Sequence, residues 1–207
     1  AAEYADWQDF YDPTVLHTIE LQVEQADLDA LASAPDTYVS VDVLLDGVPY
    51  SNVGLRLDGN YQDHPISYDK PSLKIRLNEF EPKQEHGGVS RLYLDAMHGD
   101  PAQSTVVLTS WLWQQAGMQI PRAALATVSY TLNGDTVFLG LYASIEWPDG
   151  NYLAHHYTDA SGDLWHGDNN SDFTSGGVAF FDLEEGDGST ISLDHVWEVI
   201  NSQSDDF

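Results

Sequence analysis

The sequence contains no cysteine and few basic residues. Without cysteine the chain has neither disulfide bonds nor thiolate metal sites. Only 7 Lys and Arg stand against 34 Asp and Glu, for a formal net charge of -27. Such a charge repels nucleic acid and anionic membranes, so we expect neither as a partner. No apolar run approaches the ~20 residues that a membrane-spanning helix needs, so no membrane span is predicted.

What the sequence does contain is typical of a folded domain. Hydrophobic residues make up 42% of the chain, and 6 Trp and 11 Tyr favour a packed interior over disorder. The net charge opposes folding by self-repulsion unless salt screens it, which favours a saline or divalent-rich medium. A secreted or cell-surface location is compatible with the lack of cysteine, although that lack leaves the redox compartment open.

Alternating apolar residues and turn signals predict an α+β fold. Asp46-Gly47 and Asn133-Gly134 each mark a tight hairpin between alternating segments. The pattern predicts a mixed or antiparallel sheet of about seven strands. One main packed helix is predicted over 102–116, begun by Asp100-Pro101 and ended at Gly117. Its apolar stripe, in which Trp111 is expected to pack into the core, comprises Val107, Leu108, Trp111 and Leu112.

The composition changes near residue 162. Residues 1–161 are predicted to form the α+β domain, and residues 162–207 an acidic, loop-rich segment that ends in an amphipathic helix. A stripe that contains Trp needs a partner surface. Two interpretations remain open: this segment begins a second half that is missing, or its helix docks onto the existing core. The stripe at i, i+3, i+4 and i+7 comprises Leu193, Val196, Trp197 and Ile200.

Six of the seven basic residues lie between Arg56 and Arg91. Because alternate residues of a strand share a face, one polar face is predicted that carries Lys70, Ser72, Lys74 and Arg76. Arg56 is predicted on the same face of the preceding strand. Guanidinium and ammonium groups together suit a nucleotide or another polyphosphate. The alternative is that the surplus of carboxylates simply neutralises these cations.

The order of several short strings resembles the N-terminal portion of the spore-coat CotH kinase family. The strings begin with VGLRLDGN at 53–60 and KPSLKI at 70–75, followed by Leu92-Tyr93-Leu94 and Asp100-Pro101. They continue through Pro121-Arg122, Asn133-Gly134, Gly140-Leu141-Tyr142, Glu146 and Leu164-Trp165. The likeness covers roughly residues 10–166, and it rests on order and spacing rather than on one string.

The resemblance implies a secreted or surface-associated, atypical protein-kinase-like fold that binds ATP with Mg²⁺ and phosphorylates a protein substrate. Carried over by position, Lys70 or Lys74 is the lysine near the nucleotide phosphates, with Arg56 nearby. Glu146 is expected near the junction of two lobes. Phosphoryl transfer consists mostly of positioning and charge neutralisation, which these residue types provide.

The sequence departs from the family pattern in two places. The stretch Ser104 to Val107 lacks the Arg that family members usually carry in the helix after the Asp-Pro pair. The family's metal-binding and catalytic aspartates come in a later half, in Asn-x-Asp and Trp-Asp-x-Asp strings, and we expect this chain to end before those strings appear. We therefore expect a nucleotide-lobe-like part of a secreted CotH-like kinase that is not catalytic as given, and we assign no catalytic residue.

A second hypothesis starts from the acidic loop. Asp168, Asn170 and Asp172 alternate like the first three ligands of a calcium loop, although Phe173 stands where glycine is expected. A merely solvated acidic loop remains the alternative. With calcium bound, the chain would be a non-catalytic extracellular binding module for a polysaccharide or a surface protein. Trp147 and Trp165 are candidates for exposed rings that stack on sugar.

Overall fold

The computed structural model of the chain describes residues 7–58, 70–167, 171, 172, 174, 177, 180–188 and 193–202, without the side chains of residues 194, 197, 200 and 201. The chain forms two compact units, Ala1–Trp147 and Pro148–Phe207. The division predicted from composition, at 161/162, falls within the second unit. Among the described residues, no helix is both long and apolar enough to span a lipid bilayer.

The first unit is a closed barrel of seven strands. Its strands follow the order β1-β2-β3-β4-β5-β7-β6, and β6 pairs with β1 to close the sheet. The β1–β6 pair is parallel and the other neighbours are antiparallel, so the predicted α+β class and mixed seven-stranded sheet are confirmed. The elements are α1 (Trp7–Phe10), β1 (Leu16–Val23), α2 (Gln25–Ser33), β2 (Val39–Leu45), β3 (Val48–Asp58), β4 (Ser72–Arg76), β5 (Arg91–Asp95), α3 (Thr105–Gln115), β6 (Ala123–Leu132) and β7 (Asp135–Glu146).

Period-two alternation sorts the side chains of β3 and β4 between the inside and the outside of the barrel. Leu55, Leu57, Leu73 and Ile75 are buried inside, while the residues between them point outward. Both predicted hairpins are present, at 46–47 and 133–134. All four of these turn residues have positive φ, as the two-residue hairpin turn requires.

Helix α3 packs on the outside of the barrel in an orientation that corrects the sequence prediction. Val107 and Ser110 are its buried residues, whereas Leu108, Trp111 and Leu112 are 54%, 43% and 58% exposed. The expectation that Trp111 packs into the core is therefore wrong. The orientation follows from the small buried cluster between the helix and the barrel, because this cluster leaves little space for a large side chain. It consists of Met97, Val107, Ala123 and Ala143.

The second unit contains α4 (Gly150–His156), β8 (Leu164–Gly167), β9 (Phe181–Glu185) and α5 (Leu193–Ser202). Strands β8 and β9 form an antiparallel pair. Helix α4 begins after Asp149, whose carboxylate accepts hydrogen bonds from the backbone N–H groups of Asn151 and Tyr152, a regular N-cap. Helix α5 lies where the apolar stripe of the sequence predicted a helix.

Candidate functional site

A row of side chains crosses the outer face of the barrel from β3 to β7. Arg56 pairs with Lys74, Lys74 with Tyr93, and Tyr93 with Ile145 in the strand registers. Paired residues of neighbouring strands share a face. The structure therefore brings Arg56 and Lys74 together on one surface, as strand alternation predicted.

The ammonium group of Lys74 is held by one carboxylate and two aromatic rings. Its Nζ lies 2.5 Å from Oδ1 of Asp58 and 4.2 Å from the centroid of the Trp147 ring. The ring of Tyr93 is 5.8 Å away and meets Trp147 edge to face. The side chain of Lys74 is only 15% exposed, so this cation is fixed in place rather than free to move in solvent.

Trp147 has a buried hydrogen-bond donor at this position. Its indole Nε1 is inaccessible to solvent and has no acceptor among the described residues. Leaving a buried donor unsatisfied costs about 1–3 kcal/mol. Both Trp147 and Trp165, predicted as exposed candidates for sugar stacking, are half-buried.

Arg56 lies beside Lys74 with a weaker anionic partner. Its guanidinium is 5.4 Å from the centroid of the Tyr38 ring, and Nη1 donates to the carbonyl oxygen of Leu57 at 3.3 Å. Among the described residues, it forms an ion pair with the exposed Asp36, whose Oδ1 is 3.5 Å from Nη1. An exposed pair of this length contributes little, so Asp36 is a poor competitor for any anion that reaches Arg56.

Lys70 lies in a different environment from Lys74. It precedes β4, so the alternation of that strand does not extend to it. Its Nζ donates to the carbonyl oxygen of Ala96 at 2.8 Å and lies 4.8 Å from the centroid of the buried Tyr142 ring. Burial lowers the pKa of Lys70, while the nearby Asp95 carboxylate opposes that shift. The neighbours of Lys70 therefore differ from those of Lys74, which are Asp58, Tyr93 and Trp147.

Glu146 faces the inside of the barrel. It pairs with the buried Leu92, while its chain neighbour Ile145 belongs to the outer row. Its Oε2 accepts a hydrogen bond from the backbone N–H of Arg122 at 3.1 Å, and its own N–H donates to the Arg122 carbonyl at 2.9 Å. The structure therefore places Glu146 and Lys74 on opposite sides of the sheet.

Other basic residues of the predicted cluster lie apart from this row. Arg76 forms a 2.9 Å ion pair with Glu79 and also donates to Asn78. Lys83 is exposed in a turn with φ of 76°. The interpretation that carboxylates neutralise the cations therefore describes Lys74 and Arg76 better than Arg56.

The predicted calcium ligands are only partly described. Asp168 and Asn170 lie outside the described residues. The carboxylate of Asp172 accepts hydrogen bonds from the backbone N–H and the hydroxyl of Thr174, a local Asx-type turn. Within the described part of the chain, no group of three or more His, Asp or Glu side chains is arranged to hold a metal ion.

Among the described residues, the contacts of Lys74 do not fit a protein-held Mg²⁺. The contacts described there include one carboxylate, Asp58, and it is bonded to the lysine. Magnesium needs oxygen ligands in near-octahedral geometry and usually draws several from water and phosphate. We therefore derive no step through a metal at this position.

Two residues of this site are absent from the sequence prediction. Asp58 lies two residues after Arg56, a position that predicts the same strand face. The sequence predicts Trp147 only as a ring that stacks on sugar. No local pattern connects it to Lys74, because their contact depends on the pairing of β4 with β5 and of β5 with β7.

The family comparison agrees with the resemblance seen in the sequence. A family model described as CotH kinase protein matches residues 55–205, more than half of the chain. The chain belongs to this family. The CotH match begins in β3 and contains Arg56, Lys70, Lys74 and Glu146, while β1 and β2 precede it. No curated protein matches the chain.

Proposed function

We propose that this CotH-family chain binds the phosphate groups of ATP on the outer face of β3 to β5, with Lys74 and Arg56 as the binding cations. The observation that carries the proposal is the position of Lys74. Its ammonium group is fixed over the Trp147 ring and lies beside Arg56 in the strand register. Membership of a kinase family supports a nucleotide rather than another polyanion.

The charge distribution supports a localised site. A chain with a net charge of -27 repels polyanions in general, so binding depends on the few places where cations are concentrated. The planar guanidinium of Arg56 suits two phosphate oxygens at once, and the ammonium of Lys74 acts as a point charge. Asp58 competes for Lys74, and the ligand has to displace it or share the ammonium group with it.

The aromatic residues provide contacts for a nucleoside, which inorganic phosphate lacks. Tyr93 and Trp147 lie edge to face with centroids 6.2 Å apart, and both are half-buried. Such a pair offers apolar area to a nucleoside. These features favour ATP over inorganic phosphate as the ligand.

Lys70 and Glu146 act as positioning residues in this proposal. Lys70 holds the backbone of Ala96, and the Ser72 hydroxyl accepts a hydrogen bond from the Ala96 N–H. Glu146 holds the backbone of Arg122. Phosphorylation of a protein would in addition require a metal clamp and a base for the attacking hydroxyl, roles to which we assign no residue of this chain.

Calorimetric titration with ATP and Mg²⁺ tests the proposal. We expect Lys74→Ala and Arg56→Ala each to weaken ATP binding by about tenfold, since each removes a charge-assisted contact. Lys83→Ala removes the same charge from an exposed turn and should leave the affinity within about twofold of the wild type. Absence of binding by the wild type, or equal losses in Lys74→Ala and Lys83→Ala, would contradict the assignment.

A further inference from the structure

The segment that contains α3 is unusual in this highly charged chain. Residues 101–121 include no Asp, Glu, Lys or Arg, and this is the longest such run in the sequence. The run covers all of α3 and the turns on either side of it. A protein with a net charge of -27 therefore presents an uncharged surface here.

Helix α3 buries Val107 and the polar Ser110 and exposes its larger apolar side chains. On its barrel side, Ser110 donates to the carbonyl oxygen of Pro121 at 2.8 Å, and Gln114 donates to the Ser110 hydroxyl at 2.9 Å. With 3.6 residues per turn, Leu108 and Leu112 lie opposite that side, flanked by two tryptophans. We call the following residues the apolar outer face of α3: Leu108, Trp111, Leu112 and Trp113.

These four side chains leave apolar area in water, and its burial in an interface would be favourable. They are 43% to 58% exposed, and Met118 just beyond the helix is 52% exposed. Burying one side chain of this size contributes roughly 1.5–3 kcal/mol. Contiguous exposed apolar side chains of this kind mark interaction surfaces, and tryptophan is enriched among the residues that dominate binding energy.

We infer that the apolar outer face of α3 binds the same face of a second copy of this chain in a symmetric dimer. A two-fold interface brings the same patch of both copies together. Two chains that each carry a net charge of -27 repel one another, and the repulsion is least where neither surface carries charge. The longest uncharged run and the apolar face coincide, which selects this face over the rest of the described surface.

The composition of the face fits such an interface. A stable interface combines an apolar centre with a polar rim and buries about 800 Å² on each partner. Here the two leucines and two tryptophans form the centre. Thr105, Thr109 and Gln115 are also exposed on α3 and add uncharged polar groups to the same side of the helix. Two helices of about 16 Å packed side by side, with the neighbouring turns, supply the central part of that area.

The salt dependence separates this dimer from association driven by charge. Raising the ionic strength from about 0.1 M to about 1 M shortens the screening length from roughly 10 Å to roughly 3 Å. Repulsion between the two acidic chains then falls while apolar burial is retained. The dimer should therefore become stronger in high salt, whereas binding held by ion pairs would become weaker.

Sedimentation velocity over a range of protein concentrations, at low and high salt, tests the inference. We expect the wild type to form dimers, with a dissociation constant that falls at high salt, and Leu112→Glu and Trp111→Glu to remain monomeric. Phe80→Glu is the matched control, since Phe80 is 44% exposed and Trp111 is 43% exposed. It introduces the same charge in the turn after β4 and should leave dimerisation unchanged.

Circular dichroism and thermal melting establish that each variant is folded before its association state is compared. Should either glutamate variant fail to fold, Leu108→Ala with Leu112→Ala removes apolar area without adding charge and is expected to weaken the dimer at least tenfold. A wild type that stays monomeric at every concentration and salt level would overturn the inference. So would dimers that persist in the folded variants, that weaken with salt, or that Phe80→Glu disrupts equally.

Discussion

Two regions on the outside of the barrel differ in how their side chains are accommodated. On the β3–β5 face, Lys74 is held by Asp58 and Trp147, and Arg56 contacts Tyr38 and Asp36. On the apolar outer face of α3, large side chains lie in solvent although the helix itself is anchored. In the first region, side chains of the same face contact the cations. In the second region, the residues packed beneath α3 do not cover the large apolar side chains.

The difference shows what decides the orientation of a side chain in each region. Strand residues alternate, so once Leu73 and Ile75 fill the barrel, Lys74 has to point outward. A helix can rotate about its axis, and close packing against small residues of the barrel wall sets the rotation of α3. Apolar side chains then face outward when the surface beneath them has no depth to receive them.

The largest difference in the free energy of unfolding should lie between substitutions of buried and of outward-facing residues on β4. Ile75→Ala removes buried side-chain volume and should lower the free energy of unfolding by about 2–5 kcal/mol. Arg76→Ala, one residue away but outside the barrel, should cost less than about 1 kcal/mol, because its ion pair with Glu79 is partly exposed. Urea unfolding measures both values. Similar losses would show that the alternation does not separate inside from outside at β4.

The next effect distinguishes the two sides of α3. Val107→Ala should lower the free energy of unfolding by roughly 1–3 kcal/mol, since Val107 is buried against the barrel. Leu108→Ala, although it removes a larger side chain, should change the free energy by less than about 0.5 kcal/mol at protein concentrations too low for association. A greater loss in Leu108→Ala than in Val107→Ala would mean that the helix is rotated from the orientation described here.

Sequence reasoning predicted the strands well and the helix orientation poorly for the same physical reason. Alternation is a local property, so the outward position of Arg56 and Lys74 follows from residues on either side of them. Val107 is buried because it packs against Ala123 and Ala143. These two alanines belong to strands β6 and β7, so the residues of the helix alone do not reveal which of its sides they cover. The contact of Trp147 with Lys74 is likewise set by strand order, which a single sequence does not encode locally.

A smaller, pH-dependent change in the free energy of unfolding should come from a buried histidine, His86. His86 is buried, with Nδ1 2.7 Å from the Tyr50 hydroxyl and its ring against Phe10. Burial lowers the pKa of His86 below its ordinary 6.5, the Asp46 carboxylate opposes the shift, and His17 adds to it. The unfolded chain therefore binds a proton at this position more readily, so the contribution of His86 to stability is constant above about pH 7 and falls as the pH drops through 6.5.

The slope of unfolding free energy against pH checks this expectation. It should not exceed about 1.4 kcal/mol per pH unit for one group, and it should flatten in His86→Gln. Because His86 lies inside the barrel, Leu112→Glu on the outside should keep the wild-type slope. An unchanged slope in His86→Gln would assign the acid sensitivity to another residue.

The smallest effect concerns the competition between Asp58 and the phosphates of ATP for the ammonium group of Lys74. Asp58→Asn removes the carboxylate that holds Lys74 while keeping the shape of the side chain. We expect ATP to bind a few-fold more tightly to this variant, because the phosphates no longer displace an anion. Calorimetry compares it with Asp36→Asn, where the pair with Arg56 is longer and more exposed and the gain should be smaller. Weaker binding by Asp58→Asn would show that this carboxylate assists the ligand.

The most direct test of the central claim uses the three lysines of the chain, Lys70, Lys74 and Lys83. Acylation of each lysine can be followed by mass spectrometry of its peptide, with and without ATP and Mg²⁺. If phosphates bind at Lys74, ATP should slow the labelling of Lys74 while Lys70 and Lys83 react at unchanged rates. Equal rates at Lys74 with and without ATP, or protection confined to Lys70, would contradict the assignment of the nucleotide to the outer face of β3 to β5.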